Sequence, residues 1–338
     1  MKCIVGLSGG VDSSTSAAIM KERGFEVVGC TFKMFESPGA SLAVNDAKKV
    51  ADYLNIEHKV MDCTADFKRY VMDYFVQSYE SGITPNPCVM CNRFLKFKYL
   101  DELKKQENAD LIVTGHYARL KKIVDKVELL QATSAARDQS YFLYRVSGEI
   151  LKHTEFPLGD YHKSYTRELA AKFGVHVAEK SDSQDVCFIP NGDYVSFIKN
   201  NSSRVSSRGD VVDENGKILG KHDGLINYTV GQRRGLGLSG GPFFVKALDI
   251  EKNLVIVANK EGVSSRTIAL EEVVFINEPY LGDCEVKIRS STPKTSAKIV
   301  KNSDKYYVEL SKPEYGVARG QHCVFYDGEQ VLGGGIIS

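Results

Sequence analysis

The residues with the clearest chemical purpose form a serine- and glycine-rich run near the start of the chain. Ser8-Gly9-Gly10-Val11-Asp12-Ser13 follows a short apolar stretch and precedes a helical pattern. Adjacent glycines permit a sharp turn and let the backbone approach a ligand without a Cβ in the way. A helix that begins here offers free N–H groups to an anion, and Asp12, Ser13 or Ser14 is predicted to cap it. The run therefore predicts a phosphate-binding loop, and no lysine follows it as in the loops of signalling NTPases.

A second segment carries two closely spaced thiols. Pro85 and Pro87 stiffen the loop before Cys88-Val89-Met90-Cys91, and a helical pattern containing Arg93 follows. A thiol at a helix N-terminus beside a cation is expected to have a lowered pKa. A structural zinc site or a thioredoxin-like redox pair would use the same spacing. Zinc usually takes four ligands, however, and the sequence has no second Cys-x-x-Cys.

Cys187 is the third thiol of interest, within Asp182-Ser183-Gln184-Asp185-Val186-Cys187-Phe188-Ile189. Taken by itself, this pattern is typical of a loop that enters a strand and carries an inert cysteine. Only the tertiary fold could bring Cys187 close to Cys91, which lies far away in sequence.

Three further clusters combine glycine, arginine and aromatic residues, at 114–118, 137–143 and 228–237. Gly115 follows an apolar strand, where nucleotides bind in α/β sheets, and His116 could polarise a phosphate or serve as scaffold. Arginine and aromatic residues at 137–142 suit RNA phosphates and bases, or a surface turn. Arg233 and Arg234 on a glycine-rich loop suit backbone phosphates, or a solvated basic loop.

Composition narrows the class of protein. The chain has 338 residues and a formal net charge of +1, so any nucleic-acid partner must be bound by local patches. No apolar run approaches the length that spans a bilayer, and no signal-peptide core is present. Eight cysteines without an export signal predict a reducing, cytoplasmic location and no membrane partner. Cys3 and Cys30 lie in apolar strand contexts and are predicted to be structural.

Alternating strand and helix patterns in the first half predict an α/β fold with a parallel sheet covered by helices. Strands are predicted at 3–7, 27–32, 57–61 and 111–114, helices at 14–23, 41–54, 65–81, 93–106 and 165–173, and a hairpin at 121–131. Short β segments with frequent glycines follow residue 200. We therefore predict a catalytic α/β domain at 1–200, a small central β-rich domain at 208–265 and a C-terminal β-barrel-like domain at 267–338.

Taken together, the motifs closely resemble the bacterial tRNA-specific 2-thiouridylases of the MnmA type, and the likeness covers essentially the whole chain. The first run resembles the PP-loop of ATP pyrophosphatases (adenine nucleotide alpha-hydrolase-like proteins). The motifs occur in the family's order: SGGVDSS at 8–14, TPNPCVMCNRFLKF at 84–97, TGHYA at 114–118, RDQSYFL at 137–143, DSQDVCFI at 182–189 and YTVGQRRGLG at 228–237.

The resemblance implies an enzyme that uses ATP to replace the C2 oxygen of the wobble uridine by sulfur in tRNAs for Lys, Glu and Gln. ATP adenylates O2 and releases pyrophosphate, then sulfur attacks C2 and AMP leaves. The uridine must leave its stack to reach such a site. A cysteine desulfurase or a sulfur relay protein would supply the sulfur, and the enzyme is expected to act as a monomer.

The resemblance also assigns residues. Cys91 would be the nucleophile and Cys187 the persulfide carrier, and the two could close a disulfide as sulfur is released. Asn86, Pro87 and Cys88 would contact the target base. The predicted ATP site comprises Gly6, Leu7, Ser8, Gly9, Gly10, Val11, Asp12, Ser13, Phe32 and Gly115. The predicted tRNA contacts are Arg137, Asp138, Gln139, Arg289 and Ser290, with Arg233 and Arg234 added from the basic loop.

The chain departs from the family at two positions. Well-known members carry Asp where this chain has Cys88, so Cys88, Cys91 and Cys187 could instead hold a [4Fe-4S] cluster with one open iron. Phe32, where many members have Met, also offers adenine an apolar face. Asp12 and Asp185 are candidate Mg²⁺ ligands, with a capping or scaffold role as the alternative.

Two other functions compete with thiolation. The first is another PP-loop ligase, of the argininosuccinate or GMP synthase kind. The second is a nucleotide-sensing or RNA-binding module without turnover. The ligases do not need a Cys-x-x-Cys paired with a remote cysteine, and pyrophosphate release that depends on unmodified tRNA would distinguish an enzyme from a binding module.

Overall fold

A computed structural model describes residues 1–175, 186–202, 204 and 207–338. The strands are β1 (Lys2–Gly6), β2 (Glu26–Lys33), β3 (Glu57–Asp62), β4 (Leu111–Val113), β5 (Arg119–Ile123), β6 (Lys126–Leu130), β7 (Thr154–Glu155), β8 (Gly209–Val212), β9 (Ile218–His222), β10 (Phe244–Asp249), β11 (Leu254–Ala258), β12 (Ser264–Phe275), β13 (Gly282–Lys287), β14 (Thr295–Asn302), β15 (Lys305–Tyr315), β16 (His322–Asp327) and β17 (Gln330–Ile337). The α-helices are α1 (Val11–Glu22), α2 (Pro38–Tyr53), α3 (Thr64–Phe67), α4 (Tyr74–Glu80), α5 (Pro87–Cys91), α6 (Phe97–Gln106), α7 (Gly148–Lys152), α8 (Lys163–Lys172) and α9 (Tyr194–Asn201).

The N-terminal part is a parallel sheet in the order β3-β2-β1-β4-β7. Alternate residues of β1 pack on opposite faces: Cys3 and Val5 against α1 and α2, and Ile4 against α6. Burial of both faces explains why β1 and β2 are continuous apolar runs. The predicted parallel sheet is confirmed. Strand β7 is not predicted, because two residues are too few to show an alternation of apolar and polar side chains.

Two predicted helices are interrupted. The stretch predicted as one helix at 65–81 contains a π-helical segment, Lys68–Asp73, between α3 and α4. The helix predicted to begin at residue 93 instead continues from α5 through a second π-helical segment, Asn92–Lys96, into α6. Such segments are uncommon and are often found at functional sites. The second one directly follows the two closely spaced cysteines.

The remaining strands form two further sheets. The central one has the order β10-β11-β8-β9 and packs around Val211, Val245, Val255 and Val257. In the C-terminal one, β12-β15-β14-β13-β16-β17 closes into a six-stranded barrel because β12 also pairs with β17. These sheets confirm a β-rich central module and a C-terminal barrel, while the domain boundaries themselves stay a prediction.

The hairpin β5–β6 links the N-terminal part of the chain to the C-terminal barrel. It was predicted as part of the first domain, and its strands pair with each other as expected. Its outer strand β6, however, pairs with β17 of the barrel, with Leu130 opposite Gln330 and Leu129 opposite Val331. Val127, Leu129, Tyr144 and Tyr326 share one buried core there. The parallel-sheet domain and the barrel are therefore packed as one body along this seam. Among the described residues, no helix is both long and apolar enough to cross a membrane.

Candidate active site

The loop between β1 and α1 is built from its own residues. The Ser8 N–H donates to Ser13 Oγ at 3.0 Å, and Ser13 Oγ donates to the Gly10 carbonyl at 3.2 Å. The helix begins at Val11 with Gly10 as its N-cap, and no described side chain caps it. The predicted cap by Asp12, Ser13 or Ser14 is therefore wrong, because Ser13 folds the loop instead. The first amide groups of α1 keep their capacity to bind an anion.

Two glycines are required by close packing around this loop. Gly9 has φ of +69°, and a Cβ there would lie 2.8 Å from the Ala47 nitrogen in α2. A Cβ on Gly115, which follows β4, would lie 2.8 Å from the Ser13 nitrogen. The structure thus brings Gly115 against the loop, at the sheet edge where it was expected. Phe32 lies at the end of the neighbouring strand β2, half-buried between two clusters of the core.

Asp12 is held by Lys163, which the sequence did not single out, and by Tyr117 of the 114–118 cluster. Lys163 Nζ, at the start of α8, lies 2.7 and 2.8 Å from its two carboxylate oxygens. The Tyr117 hydroxyl donates to Asp12 Oδ1 at 2.9 Å. This network ties α8 to the loop and occupies Asp12, so a bound cation would have to compete with Lys163 for it. Asp185, the other candidate Mg²⁺ ligand, lies outside the described residues.

The cysteine helix α5 starts at a side-chain cap. Asn86 accepts a hydrogen bond from the Val89 N–H at 3.4 Å, and Pro87 occupies the first helical position. Asn86, Pro87 and Cys91 are buried, whereas Cys88 is exposed. One turn therefore presents Cys88 outward and Cys91 inward.

The thiols are protonated in this conformation, which corrects the expectation of a lowered pKa. Burial raises the pKa of Cys91 to about 12, against the opposing effect of Lys96. Loss of hydration among the surrounding protein atoms also raises the pKa of Cys88 and of Cys187, although both residues keep an exposed surface, and Lys96 again opposes it. A five-residue helix has too small a dipole to outweigh the loss of water around Cys91. The buried Cys3 and Cys30 also have pKa values raised to about 12, as expected of structural thiols.

Lys96 is the cation whose charge acts on the thiols, although Arg93 was the predicted one. It ends the second π-helical segment, five residues after Cys91, and it interacts electrostatically with all three thiols. Burial lowers the pKa of Lys96, whereas negative charge on any of the three thiols raises it, and the net direction is upward. Ionisation of a thiol therefore favours the ammonium form of Lys96.

The segment after β4 connects the phosphate loop to the thiols. Gly115 touches the start of α1, and the ring of His116 stacks 5.9 Å from that of Phe97, which follows Lys96. His116 Nδ1 lies 2.8 Å from the Thr114 hydroxyl, and burial, with Lys96, lowers the pKa of His116 to about 3. His116 is therefore a neutral scaffold residue between the two halves of the site.

The residues after Cys187, Phe188 and Ile189, pack in the same buried cluster as Cys91. Phe188 packs edge-on against Phe67 and Phe75, with centroids 5.6 and 5.5 Å away. Cys91 and Phe188 belong to one buried cluster, and Cys187 is exposed beside it. Residues 182–185 of the motif lie outside the described part of the chain.

Cys88, Cys91 and Cys187 all lie among the described residues, and there no three Cys, His, Asp or Glu side chains are placed to hold a metal ion in this conformation. The [4Fe-4S] alternative stays a prediction. All eight cysteines are free thiols, so the predicted Cys91–Cys187 disulfide is not formed here.

The predicted tRNA contacts fall into two groups. Arg137, Arg233, Arg234 and Ser290 are exposed. Asp138 and Gln139 instead bond to the protein's own backbone. Asp138 accepts hydrogen bonds from the Ala132 and Ser140 amides, and Gln139 Oε1 accepts one from the Tyr117 N–H at 2.9 Å.

Arg289 makes a contact between modules. Its Nη2 donates to the carbonyls of Val230 at 2.9 Å and Gly316 at 2.8 Å. Burial lowers its pKa. The guanidinium thus joins the basic loop to the barrel, and its contact with tRNA stays a prediction.

The barrel also forms hydrogen bonds with the loop that precedes α5. The Thr84 N–H donates to the Arg319 carbonyl at 2.9 Å, and Gln321 Nε2 donates to the Thr84 and Pro85 carbonyls at 3.1 and 3.2 Å. A Cβ on Gly320 would collide with Ile83. No local signal in the sequence could reveal this contact, because the partners are more than two hundred residues apart.

Comparisons with known proteins agree over the full chain. Residues 1–191 match the tRNA methyl transferase HUP domain model, residues 196–259 the tRNA methyl transferase PRC-barrel domain and residues 265–337 the aminomethyltransferase beta-barrel domain. A solved structure, the U34-tRNA thiolase NcsA from Methanococcus maripaludis with its [4Fe-4S] cluster, is 20% identical over 59% of this chain and 62% of that one, with a TM-score of 0.38. That likeness is too low to transfer any residue role.

Curated relatives are much more similar. The tRNA-specific 2-thiouridylase MnmA of Roseobacter denitrificans is 43% identical, over 99% of this chain and 94% of that protein. The protein of the same name from Pelobacter propionicus is 41% identical, over 100% of this chain and 98% of its own length. The chain belongs to the MnmA family of tRNA-specific 2-thiouridylases.

Proposed function

We propose that this protein replaces O2 of the wobble uridine by sulfur in tRNAs for Lys, Glu and Gln, at the expense of ATP. One observation carries the proposal. Gly115 lies against the phosphate loop, and the next residue, His116, packs against Phe97, which follows Lys96, the cation that interacts with all three thiols. A ligase of the argininosuccinate or GMP synthase kind would need the first half of this site but not the second. Membership of the MnmA family supports the same reaction.

The phosphate loop would carry out the activation step. The C2 oxygen of uridine belongs to a urea-like carbonyl and is a poor leaving group. Attack of O2 on the α-phosphate of ATP forms the O2–adenylate and releases pyrophosphate. The amides at the start of α1 would bind the phosphates, and Phe32 would offer its ring to adenine.

The thiols would carry out the sulfur step. The terminal sulfur of a persulfide on Cys187 bonds to C2, the C2–O bond breaks, and AMP leaves with the oxygen. Cys91, after losing its proton, attacks Sγ of Cys187. The sulfur–sulfur bond of the persulfide breaks and its electron pair stays on the transferred sulfur. The resulting Cys91–Cys187 disulfide is then reduced by a thiol reductant, and a cysteine desulfurase or sulfur relay protein reloads Cys187.

Lys96 would support that step through its charge. It is favoured as the ammonium form beside all three thiols, where a cation stabilises thiolate and persulfide anions. We favour the persulfide scheme over a cluster because the three cysteines are not placed to hold a metal ion in this conformation. Mg²⁺ is expected to accompany ATP, with Asp12 as a ligand only after Lys163 releases it.

The test combines purified protein, ATP, a persulfide donor and unmodified tRNA. Mass spectrometry of the digested tRNA should show 2-thiouridine at the wobble position, with one AMP and one pyrophosphate formed per thiolated base. A tRNA with cytidine at the wobble position serves as control and should yield neither product. Pyrophosphate release without any thiolated base, or thiolation without ATP, would overturn the proposal.

A further inference from the structure

The buried Arg145 and the partly buried Arg93 lie next to the cysteine helix, and the carboxylate of Glu272 pairs with the first and acts electrostatically on the second. Arg145, which follows the 3₁₀ turn Ser140–Leu143, is 6% exposed, and its Nη2 lies 2.6 Å from Glu272 Oε2 of the barrel. Its Nε is buried and has no hydrogen-bond partner among the described residues. Its Nη1 lies 3.9 Å from the sulfur of Met90, between Cys88 and Cys91.

Arg93 is the second member of the pair. Its guanidinium lies 4.8 Å from the centroid of the Phe94 ring, and its buried Nη1 also has no hydrogen-bond partner in the described part of the chain. Burial lowers the pKa of Arg93 and the charge of Arg145 lowers it further, while Glu272 opposes both. An uncompensated guanidinium in a partly buried place is costly unless an anion binds it.

Glu272 occupies an unusual position. Its φ is +46°, within the bulged part of β12, where a residue other than glycine is strained. Its side chain remains 59% exposed although it holds Arg145. The carboxylate is therefore accessible to solvent, so an incoming anion can compete with it for the arginine.

We propose that Arg93 and Arg145 form a binding site for an RNA phosphodiester next to the modified base. Planar guanidinium groups bind phosphate oxygens in a bidentate manner, and phosphate contacts fix the position of an RNA without reading its sequence. The place is suitable because Arg93 follows Cys91 by two residues and the base-contacting segment 86–88 starts the same helix. The inference rests on the proposed function in one respect: the RNA is the tRNA substrate.

Arg69 provides a matched control. Its guanidinium lies 5.1 Å from the centroid of Tyr70, whose ring stacks 5.0 Å from Phe94. Arg69 and Arg93 thus lie on the same aromatic pair. Arg69 is exposed, however, whereas Arg93 is partly buried and has a buried Nη1.

The experiment measures tRNA binding by fluorescence anisotropy at several salt concentrations for wild type, Arg93→Ala, Arg93→Lys and Arg69→Ala. Arg93→Ala should weaken binding roughly tenfold and reduce the slope of log affinity against log salt by about 0.7–0.9, the value for one phosphate contact. Arg93→Lys should keep the slope, and Arg69→Ala should match wild type. An unchanged slope in Arg93→Ala, with wild-type melting temperature, would overturn the inference.

Glu272→Gln gives a second, independent measurement, because Arg145 variants risk misfolding. Removal of the competing negative charge should tighten tRNA binding severalfold, whereas unchanged or weaker binding would contradict a shared anion site. The proposed function fails separately: in that case the wild-type protein itself neither thiolates tRNA nor prefers it to an unrelated RNA. If wild type does both while Arg93→Ala keeps its salt slope, only the phosphate site is wrong.

Discussion

The phosphate loop and the cysteine helix are two halves of one site that are built in opposite ways. The loop folds through hydrogen bonds among Ser8, Gly10 and Ser13, within six consecutive residues. The loop before α5 depends on Arg319 and Gln321 of the barrel. A motif that folds from its own residues is recognisable from sequence, whereas one placed by distant partners shows only its chemistry.

The two halves also differ in electrostatics. The loop offers amide groups at the start of a twelve-residue helix, which suit an anion without further change. All three thiols have raised pKa values, and the buried Cys91 must lose a proton before it reacts. We therefore expect activation of uridine and transfer of sulfur to be separable by mutation.

The largest expected effect comes from removal of a thiol. Cys91→Ser and Cys187→Ser should each lower the rate of thiolation at least a thousandfold, because neither sulfur can be replaced in the exchange. Pyrophosphate release that depends on tRNA should fall no more than a few-fold in the first turnover. Cys284→Ser, in the barrel strand β13, is the control and should retain both activities. A parallel loss of pyrophosphate release would mean that the halves do not separate.

Gly9→Ala tests the other half of the site, the phosphate loop. A Cβ there would meet α2 backbone in a left-handed conformation, so we expect pyrophosphate release to fall about a hundredfold and the free energy of unfolding to drop by about 1–3 kcal/mol. Gly216→Ala shares the positive φ, of +81°, but has open space around it, and should cost only about 1 kcal/mol. Urea unfolding and a pyrophosphate assay measure both. Equal losses in the two variants would show that contact with α2 is unimportant.

Gln321→Leu tests whether the barrel positions the cysteine helix. Loss of its two hydrogen bonds to the Thr84 and Pro85 carbonyls should lower kcat for thiolation about tenfold, since small misplacements of reacting groups are costly. The dissociation constant for ATP should not change. Gln330→Leu, at the opposite end of the β16–β17 pair, is the matched control. A wild-type kcat in Gln321→Leu would show that these barrel contacts do not position the cysteine helix.

The smallest expected effect concerns the seam between the barrel and the parallel-sheet domain. His322 is fully buried, and burial, with the charge of Arg145, lowers its pKa to about 3. The unfolded chain binds a proton near pH 6.5 and the folded one does not, so stability falls as the pH drops below that value. Between pH 7 and 5 this histidine should cost the folded state about 2 kcal/mol.

Urea unfolding at both pH values measures that cost. His322→Gln should lack this part of the pH dependence, while a variant of the exposed His153, His153→Gln, should keep it. The same pH dependence in all three proteins would show that His322 is not held neutral.

Some of the site followed directly from the sequence. Gly9 was identified because adjacent glycines allow a close backbone approach to a ligand, and Gly115 because it follows an apolar strand at the sheet edge. The parallel order of the strands follows from alternating patterns. Lys96 stood in the cysteine motif, but only the π-helical turn brings it to the thiols. The pKa of Cys91 was predicted in the wrong direction because burial depends on residues from several elements, including Phe67 and Phe188.

Other features could not be anticipated. Lys163 pairs with Asp12 across 151 residues, and β6 pairs with β17 of the C-terminal barrel. Glu272 pairs with Arg145 from a bulge in β12, and no sequence pattern predicts that bulge. Such contacts are decided by packing of whole domains, whereas propensity and periodicity report only on neighbours along the chain.

The central claim is that ATP activates the same oxygen that sulfur replaces. A tRNA labelled with ¹⁸O at O2 of the wobble uridine tests it directly, by mass spectrometry of the AMP formed in a single turnover with persulfide-loaded protein. The account predicts one ¹⁸O atom in AMP for each 2-thiouridine formed. Unlabelled AMP, with the ¹⁸O released into water or retained in the base, would contradict it.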